Sequence, residues 1–225
     1  MMISREKKFV FVHIYKTGGT SLTRALLPFV SADLHPGNPR HEGLGWQGSW
    51  HFRNGQHAKL APALPALRRH GLGDLSGYRI VTFVRDPYSW VHSIWRSFYT
   101  SGGSEGRAAF TARFPGGGLD DFCRFIAEEQ ARPQTRHWGM KPQVSFFEIP
   151  GRAPDFIGRF EEYEAEVARL MQFLGLPPLE AVPHELRRRR RTFDLGVYAP
   201  ESLEIINHVM APDFRSLGYP VTTAA

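Results

Sequence analysis

From Lys8 to Ile14 the chain reads "KFVFVHI", almost wholly apolar and without the alternation of a half-exposed strand. Such a run predicts a strand buried on both faces of a parallel sheet. A polar, glycine-bearing turn follows, and then Leu22, Ala25, Leu26 and Phe29 recur at helical spacing, with Pro28 in the end region of that helix. The same order returns downstream. "YRIVTFV" with the arginine after it, Arg79 to Arg85, is a second strongly apolar strand, and "DPYSWVHSIWRSFY" follows as a helix with Asp86 at its cap and Pro87 in its first turn.

"LDDFCRFIAEEQ" and "EEYEAEVARLMQFLGL" have the spacing of amphipathic helices. The second should bury Val167, Leu170, Met171 and Leu174 and stop at Gly175 and Pro177. A last helix is expected around "PESLEIINHVM". "HAKLAPALPALRRHGL" should be helical only in pieces, because Pro62 and Pro65 interrupt it. Residues 31–56, rich in Gly, Pro and His with Trp46 and Trp50, form a long irregular insertion, and 101–118 is a Gly/Ser-rich, mobile stretch. Two strand–turn–helix units in succession predict a three-layer α/β fold with a central parallel sheet, one domain over residues 1–225.

Composition narrows the classes. At 225 residues, 42% hydrophobic and 13% aromatic, the chain can bury one good core and is not of disordered type. No apolar run approaches the roughly 18 residues of a membrane span. The N-terminal "MMISREKKFVFVHI" reads as a first strand rather than a signal peptide, which makes the expected location cytoplasmic. A lone cysteine, Cys123, allows no intrachain disulfide and has a packing role on its helix. The ten histidines include no HxxxH or HExxH pairing, so no metal site is expected. A net charge of +6 favours an anionic partner but does not choose it.

The choice comes from the first turn. Backbone N–H groups at a helix N-terminus are unpaired, and the helix dipole adds positive character there. Gly18 and Gly19 let the main chain wrap an oxyanion, Thr17, Thr20 and Ser21 add hydroxyls, and Lys16 adds a full charge. Taken alone, the glycine pair is equally an ordinary strand-to-helix turn with a surface lysine. A nucleoside triphosphatase or nucleotide kinase is the first alternative, but its GxxxxGK[ST] loop places the lysine after the last glycine, whereas Lys16 precedes both. A basic nucleotide- or nucleic-acid-binding module is the non-enzyme alternative. Its best element would be Arg187 to Arg191, a run without interleaved aromatics, so no specific nucleic acid is expected.

"HIYKTGGTSL" resembles the "HIPKTGGTSL" signature of the carbohydrate sulfotransferase family whose membrane-bound members include heparan sulfate 2-O-sulfotransferases; this chain would be a soluble, bacterial-type member. "VRDPYSWVHS" is similar to that family's second signature, close to "VRDPxxRxxS". The resemblance continues more loosely through "GQHAKL", "PQVSFF", "DFIGRFEEYEAEV" and "YAPESLEIINHVMAPDFRSLGY". It implies a cradle for the 5′-phosphosulfate of 3′-phosphoadenosine 5′-phosphosulfate (PAPS) at Lys16, Thr17, Gly18, Gly19, Thr20 and Ser21, and a grip on its 3′-phosphate by Arg85 and Ser93. Taken singly, Arg85 would be a surface ion-pair partner and Ser93 an ordinary helix residue.

The resemblance also implies transfer of the sulfuryl group to a hydroxyl of a glycan or small molecule, without metal, releasing 3′,5′-ADP. Lys16 would stabilise the bridging oxygen, and a histidine between the two signatures would act as base. "GQHAKL" favours His57, with His51 second and Glu42 and Glu148 as fallback carboxylates. His13 is assigned to the strand and His92 to helix packing. Two departures stand out: Tyr15 where the family usually has proline, and Trp90 where it commonly has arginine. The acceptor and the oligomeric state are not written in the sequence.

Overall fold

The computed structural model describes residues 1–34, 51–52, 55–99, 105–131, 141–179 and 193–223. In chain order the elements are β1 (Met2–Ser4), β2 (Phe9–Val12), α1 (Gly19–Leu26), α2 (Leu60–Arg69), β3 (Arg79–Val84), α3 (Pro87–Ile94), α4 (Glu105–Arg113), α5 (Leu119–Gln130), α6 (Val144–Phe147), β4 (Phe156–Arg159), α7 (Tyr163–Leu174), α8 (Pro200–Val209) and α9 (Ala211–Leu217). The result is an α/β chain with a four-strand, mostly parallel sheet flanked by helices, which agrees with the α/β class and the parallel pairing of the two expected strands. The described chain divides into two compact units, Met1–Val84 with Ser145–Arg189, and Arg85–Val144 with Arg190–Ala225.

The first unit holds the sheet, in the order β1-β2-β3-β4. β2 and β3 run parallel with Phe9 opposite Arg79 and Val12 opposite Thr82, and β3 and β4 run parallel with Val81 opposite Phe156. All of β2 is buried, as its unbroken apolar run requires. The N-terminal stretch is not one strand. Polar residues Arg5 to Lys8 turn the chain, Lys8 at φ 53, so that β1 pairs antiparallel on β2 with Met2 opposite Phe11.

Alternate residues Phe9, Phe11, Val81 and Phe83 share one core cluster with Leu22 and Leu26 of α1 and with Val167, Leu170, Met171 and Leu174 of α7. Each such aliphatic side chain contributes roughly 1.5–3 kcal/mol on burial. The α7 positions are those expected from the sequence, and the helix ends at Gly175 in a left-handed conformation (φ 65). α2 is one helix, not pieces. Pro62 falls in its first turn, where no N–H partner is lost, and Pro65 alone interrupts the interior.

In the second unit α3 follows its expected course, with Ser89 N–H donating to the Asp86 carboxylate at 2.8 Å, and continues into a π turn over Trp95–Tyr99. The stretch expected to be irregular contains α4, because Phe110 buries against Phe122 and Phe125 of α5. Residues 101–104 of that stretch lie outside the described residues. Asp120 of α5 accepts from Ser202 Oγ at 2.6 Å and from Ala199 N at 3.1 Å, fastening α5 to the start of α8. Cys123 is buried and its thiol is pushed up to about 12 by burial, which suits the packing role. Among the described residues no helix is long and apolar enough to cross a membrane.

Candidate active site

Between β2 and α1, residues 13–18 make a tight loop. Lys16 and Gly18 both take left-handed conformations, φ 63 and φ 85. A lysine there carries strain, of the kind that concentrates at functional loops. Thr17 is buried, and its hydroxyl donates to Ile14 O at 2.8 Å, bracing the turn. Tyr163, the first residue of α7, donates its hydroxyl to Gly18 O at 2.7 Å.

The glycine pair has a packing reason besides the approach of an anion. A Cβ on Gly18 would collide with the Tyr163 ring, and one on Gly19 with the His13 ring. No side chain caps the first turn of α1, and that turn contains no acidic residue. Ser21 Oγ is buried without a hydrogen-bond partner. An orphan buried hydroxyl in an uncapped first turn fits an incoming oxyanion.

Behind the loop three histidines meet. His13 Nδ1 lies 3.2 Å from His51 Nε2, which also lies 3.4 Å from Thr23 Oγ1. His57 Nδ1 lies 3.0 Å from the carbonyl oxygen of His13, and the two rings meet edge to face at 4.7 Å. A carbonyl only accepts, so Nδ1 of His57 carries the proton and Nε2 is its basic nitrogen. Burial lowers the His57 pKa to about 4, against a smaller opposing effect of that hydrogen bond. His13 is held well below the ordinary histidine range, first by burial and then by His57 and His51. His51 is fully enclosed, while His57 is only part-buried.

Tyr15, the departure from the family's proline, is buried with its ring edge-on to His57 at 5.5 Å and to Phe146 at 5.4 Å. Lys59 donates to Ser145 Oγ at 2.8 Å and sits 5.2 Å over the Phe146 ring. Neither Lys59 nor Tyr163 was singled out in the sequence. Lys59 lies inside "GQHAKL", which was a usable signal; Tyr163 is brought to the loop only by the tertiary fold.

In the second unit Arg85 directly precedes the capping residue Asp86, and its Nε donates to Ser89 Oγ at 2.9 Å. Ser93, half-buried, lies in the second turn of α3. Trp90 is fully buried, so the position that commonly carries arginine serves packing here. His92 packs on Trp95 and Phe193, and burial followed by the charges of Arg96 and Arg85 lowers its pKa. Glu148 is exposed. Glu42 and the Arg187 to Arg191 run lie outside the described residues, and among those described no group of His, Cys, Asp or Glu is arranged to hold a metal ion.

A parallel sheet whose strand feeds a glycine turn and an uncapped helix N-terminus is the kind of site that receives an anionic group. The sequence model of the sulfotransferase family matches residues 1–220, and the chain belongs to that family, whose enzymes use PAPS as sulfate donor. No curated protein and no solved structure matches the chain.

Proposed function

We propose that residues 1–225 act as one sulfotransferase domain that moves the sulfuryl group of PAPS to a carbohydrate hydroxyl, with His57 as general base. The observation that carries the base assignment is the Nδ1–H of His57 held by His13 O at 3.0 Å. That hydrogen bond selects the tautomer with a basic Nε2, and burial keeps the ring neutral. The enclosure of His51 between His13 and Thr23 suits a supporting role instead.

PAPS, when bound, supplies an activated sulfuryl group and 3′,5′-ADP as its leaving portion. Lys16, Thr17, Gly18, Gly19, Thr20 and Ser21 hold the 5′-phosphosulfate, Thr17 by its main-chain N–H because its buried hydroxyl is engaged with Ile14 O; the buried, unpartnered Ser21 hydroxyl supports this. Arg85 and Ser93 hold the 3′-phosphate, for which a guanidinium offers a planar fork. His57 Nε2 takes the acceptor's proton, and Lys16 answers negative charge developing on the bridging oxygen. The carbohydrate acceptor rests on the resemblance of "HIYKTGGTSL" and "VRDPYSWVHS" to carbohydrate sulfotransferases of the heparan sulfate 2-O type.

The test compares sulfur-labelled PAPS with γ-phosphate-labelled ATP, each with and without magnesium, against glycan and small-alcohol acceptors. Label transferred from PAPS to a glycan without added magnesium supports the proposal. Transfer to small alcohols alone removes the carbohydrate assignment. Transfer from ATP in its place makes the chain a kinase.

A further inference from the structure

We propose that Gln143 and Asp213 are positioning residues that set the grip of Arg85 on a nucleotide 3′-phosphate; this rests on the 3′-phosphate role given to Arg85 above. Gln143 is fully buried. Its Oε1 accepts the Arg85 N–H at 2.9 Å, and its Nε2 donates to Arg85 O at 2.8 Å. One side-chain amide therefore closes on both main-chain polar groups of a single residue, as a neighbouring strand would. It does so immediately after Val84, the last residue of β3.

The clasp is itself held. Asp213, in the first turn of α9 and fully buried, accepts on Oδ2 from Gln143 N at 2.8 Å and from Gln143 Nε2 at 3.2 Å, and on Oδ1 from Val144 N at 3.0 Å. These three partners are neutral N–H groups. A carboxylate buried among such groups is costly compared with an apolar residue of the same volume. Burial pushes the Asp213 carboxyl up to about 6, while the N–H donors pull it back down. What that cost secures is the orientation of the Gln143 amide, and through it the backbone of Arg85.

The side chain of Arg85 is steered from its other end. Its Nε donates to Ser89 Oγ at 2.9 Å, and Ser89 Oγ donates to Asp86 O at 3.1 Å. With the main chain clasped and Nε engaged, the backbone of Arg85 and the plane of its guanidinium are set before any phosphate arrives. Preorganisation of this kind raises affinity by removing the ordering cost of binding.

The experiment is calorimetry on the full chain with 3′,5′-ADP and 5′-AMP. Gln143→Met keeps the length of the side chain and removes both hydrogen bonds to Arg85. It should weaken 3′,5′-ADP about tenfold, part of the one to two decades carried by a charge-assisted contact, and leave 5′-AMP unchanged. Asp213→Asn should act in the same direction and by less. In an Arg85→Ala background Gln143→Met should change neither nucleotide, since its effect runs through the absent arginine.

Equal weakening of both nucleotides, or an effect that persists without Arg85, reduces the clasp to a structural support and overturns the proposal. A wild type with no preference for 3′,5′-ADP overturns the 3′-phosphate reading itself. A wild-type preference erased by Arg85→Ala but kept by Gln143→Met overturns this inference alone. If Gln143→Met loses its cooperative thermal transition, Asp213→Asn carries the same comparison.

Discussion

An ordinary solvated histidine base titrates near pH 6.5, so an enzyme relying on one loses activity through the range just below neutrality. His57 should behave otherwise. Burial holds its pKa at about 4, so its basic form persists far into acid. At pH 5.5 a base of pKa 6.5 would be about 90% protonated, and one of pKa 4 only about 3%. The acid limb of kcat/KM, which reports the free enzyme, should therefore fall near pH 4. Sulfur-labelled PAPS with the acceptor from the screen, assayed between pH 4 and 8, gives the profile, and the histidine ring resonances give an independent midpoint.

The same shift links to folding. A histidine whose pKa is depressed on folding contributes stability that is fully present above pH 6.5 and is lost as pH falls from there toward 4, because the unfolded chain takes the proton first. From 6.5 to about 4 the contribution is on the order of 3 kcal/mol, so stability must be followed across the same pH range to separate unfolding from titration. His57→Ala should lower turnover by about 10²–10⁴-fold while leaving 3′,5′-ADP affinity nearly unchanged. An acid limb near pH 6.5 in folded protein, or normal turnover in His57→Ala, refutes the reasoning. Loss of turnover in His51→Ala alone would instead move the base to His51.

Lys16→Ala should reduce turnover by roughly two to three orders of magnitude and 3′,5′-ADP affinity by much less, because charge grows on the bridging oxygen chiefly in the transition state; steady-state kinetics with binding isotherms separate the two. Arg85→Ala should cost about 1.5–3 kcal/mol of 3′,5′-ADP binding and erase most of the preference over 5′-AMP, with a smaller loss in Ser93→Ala, both read by calorimetry. Gly19→Ala drives a methyl group into the His13 ring and should destabilise the fold by about 1–3 kcal/mol in a urea melt, whereas unchanged stability would mean the ring moves aside freely.

β2, β3, the glycine turn and α7 were legible in the sequence because each rests on a local pattern: an unbroken apolar run, glycines before a helix, apolar residues at helical spacing. What stayed hidden depends on partners distant in the chain. α4 forms because Phe110 finds Phe122 and Phe125, and nothing within 101–118 announces those partners. β1 was hidden because its three residues are too few for a period, and only pairing with β2 defines them. His13 was assigned to the strand, yet its carbonyl oxygen orients His57 and its ring lies against Gly19. The sequence marks where polar chemistry sits; the rings and amides that aim it come from elements far away.

Tyr15 illustrates how a local departure can be answered by tertiary packing. A proline at this point would stiffen the loop by locking its own φ, a purely local device. Tyrosine has no such lock, but the Tyr15 ring is buried between His57 and Phe146, and Phe146 in turn lies beneath the Lys59 ammonium. The loop's stiffness therefore comes from contacts that include the proposed base. His57 already meets the loop through His13, and Tyr15 adds a second aromatic contact that a proline would not supply. A change at residue 15 should consequently disturb the proposed base His57 as well as the glycine loop, read as a shift in the His57 ring resonances of a Tyr15→Ala variant.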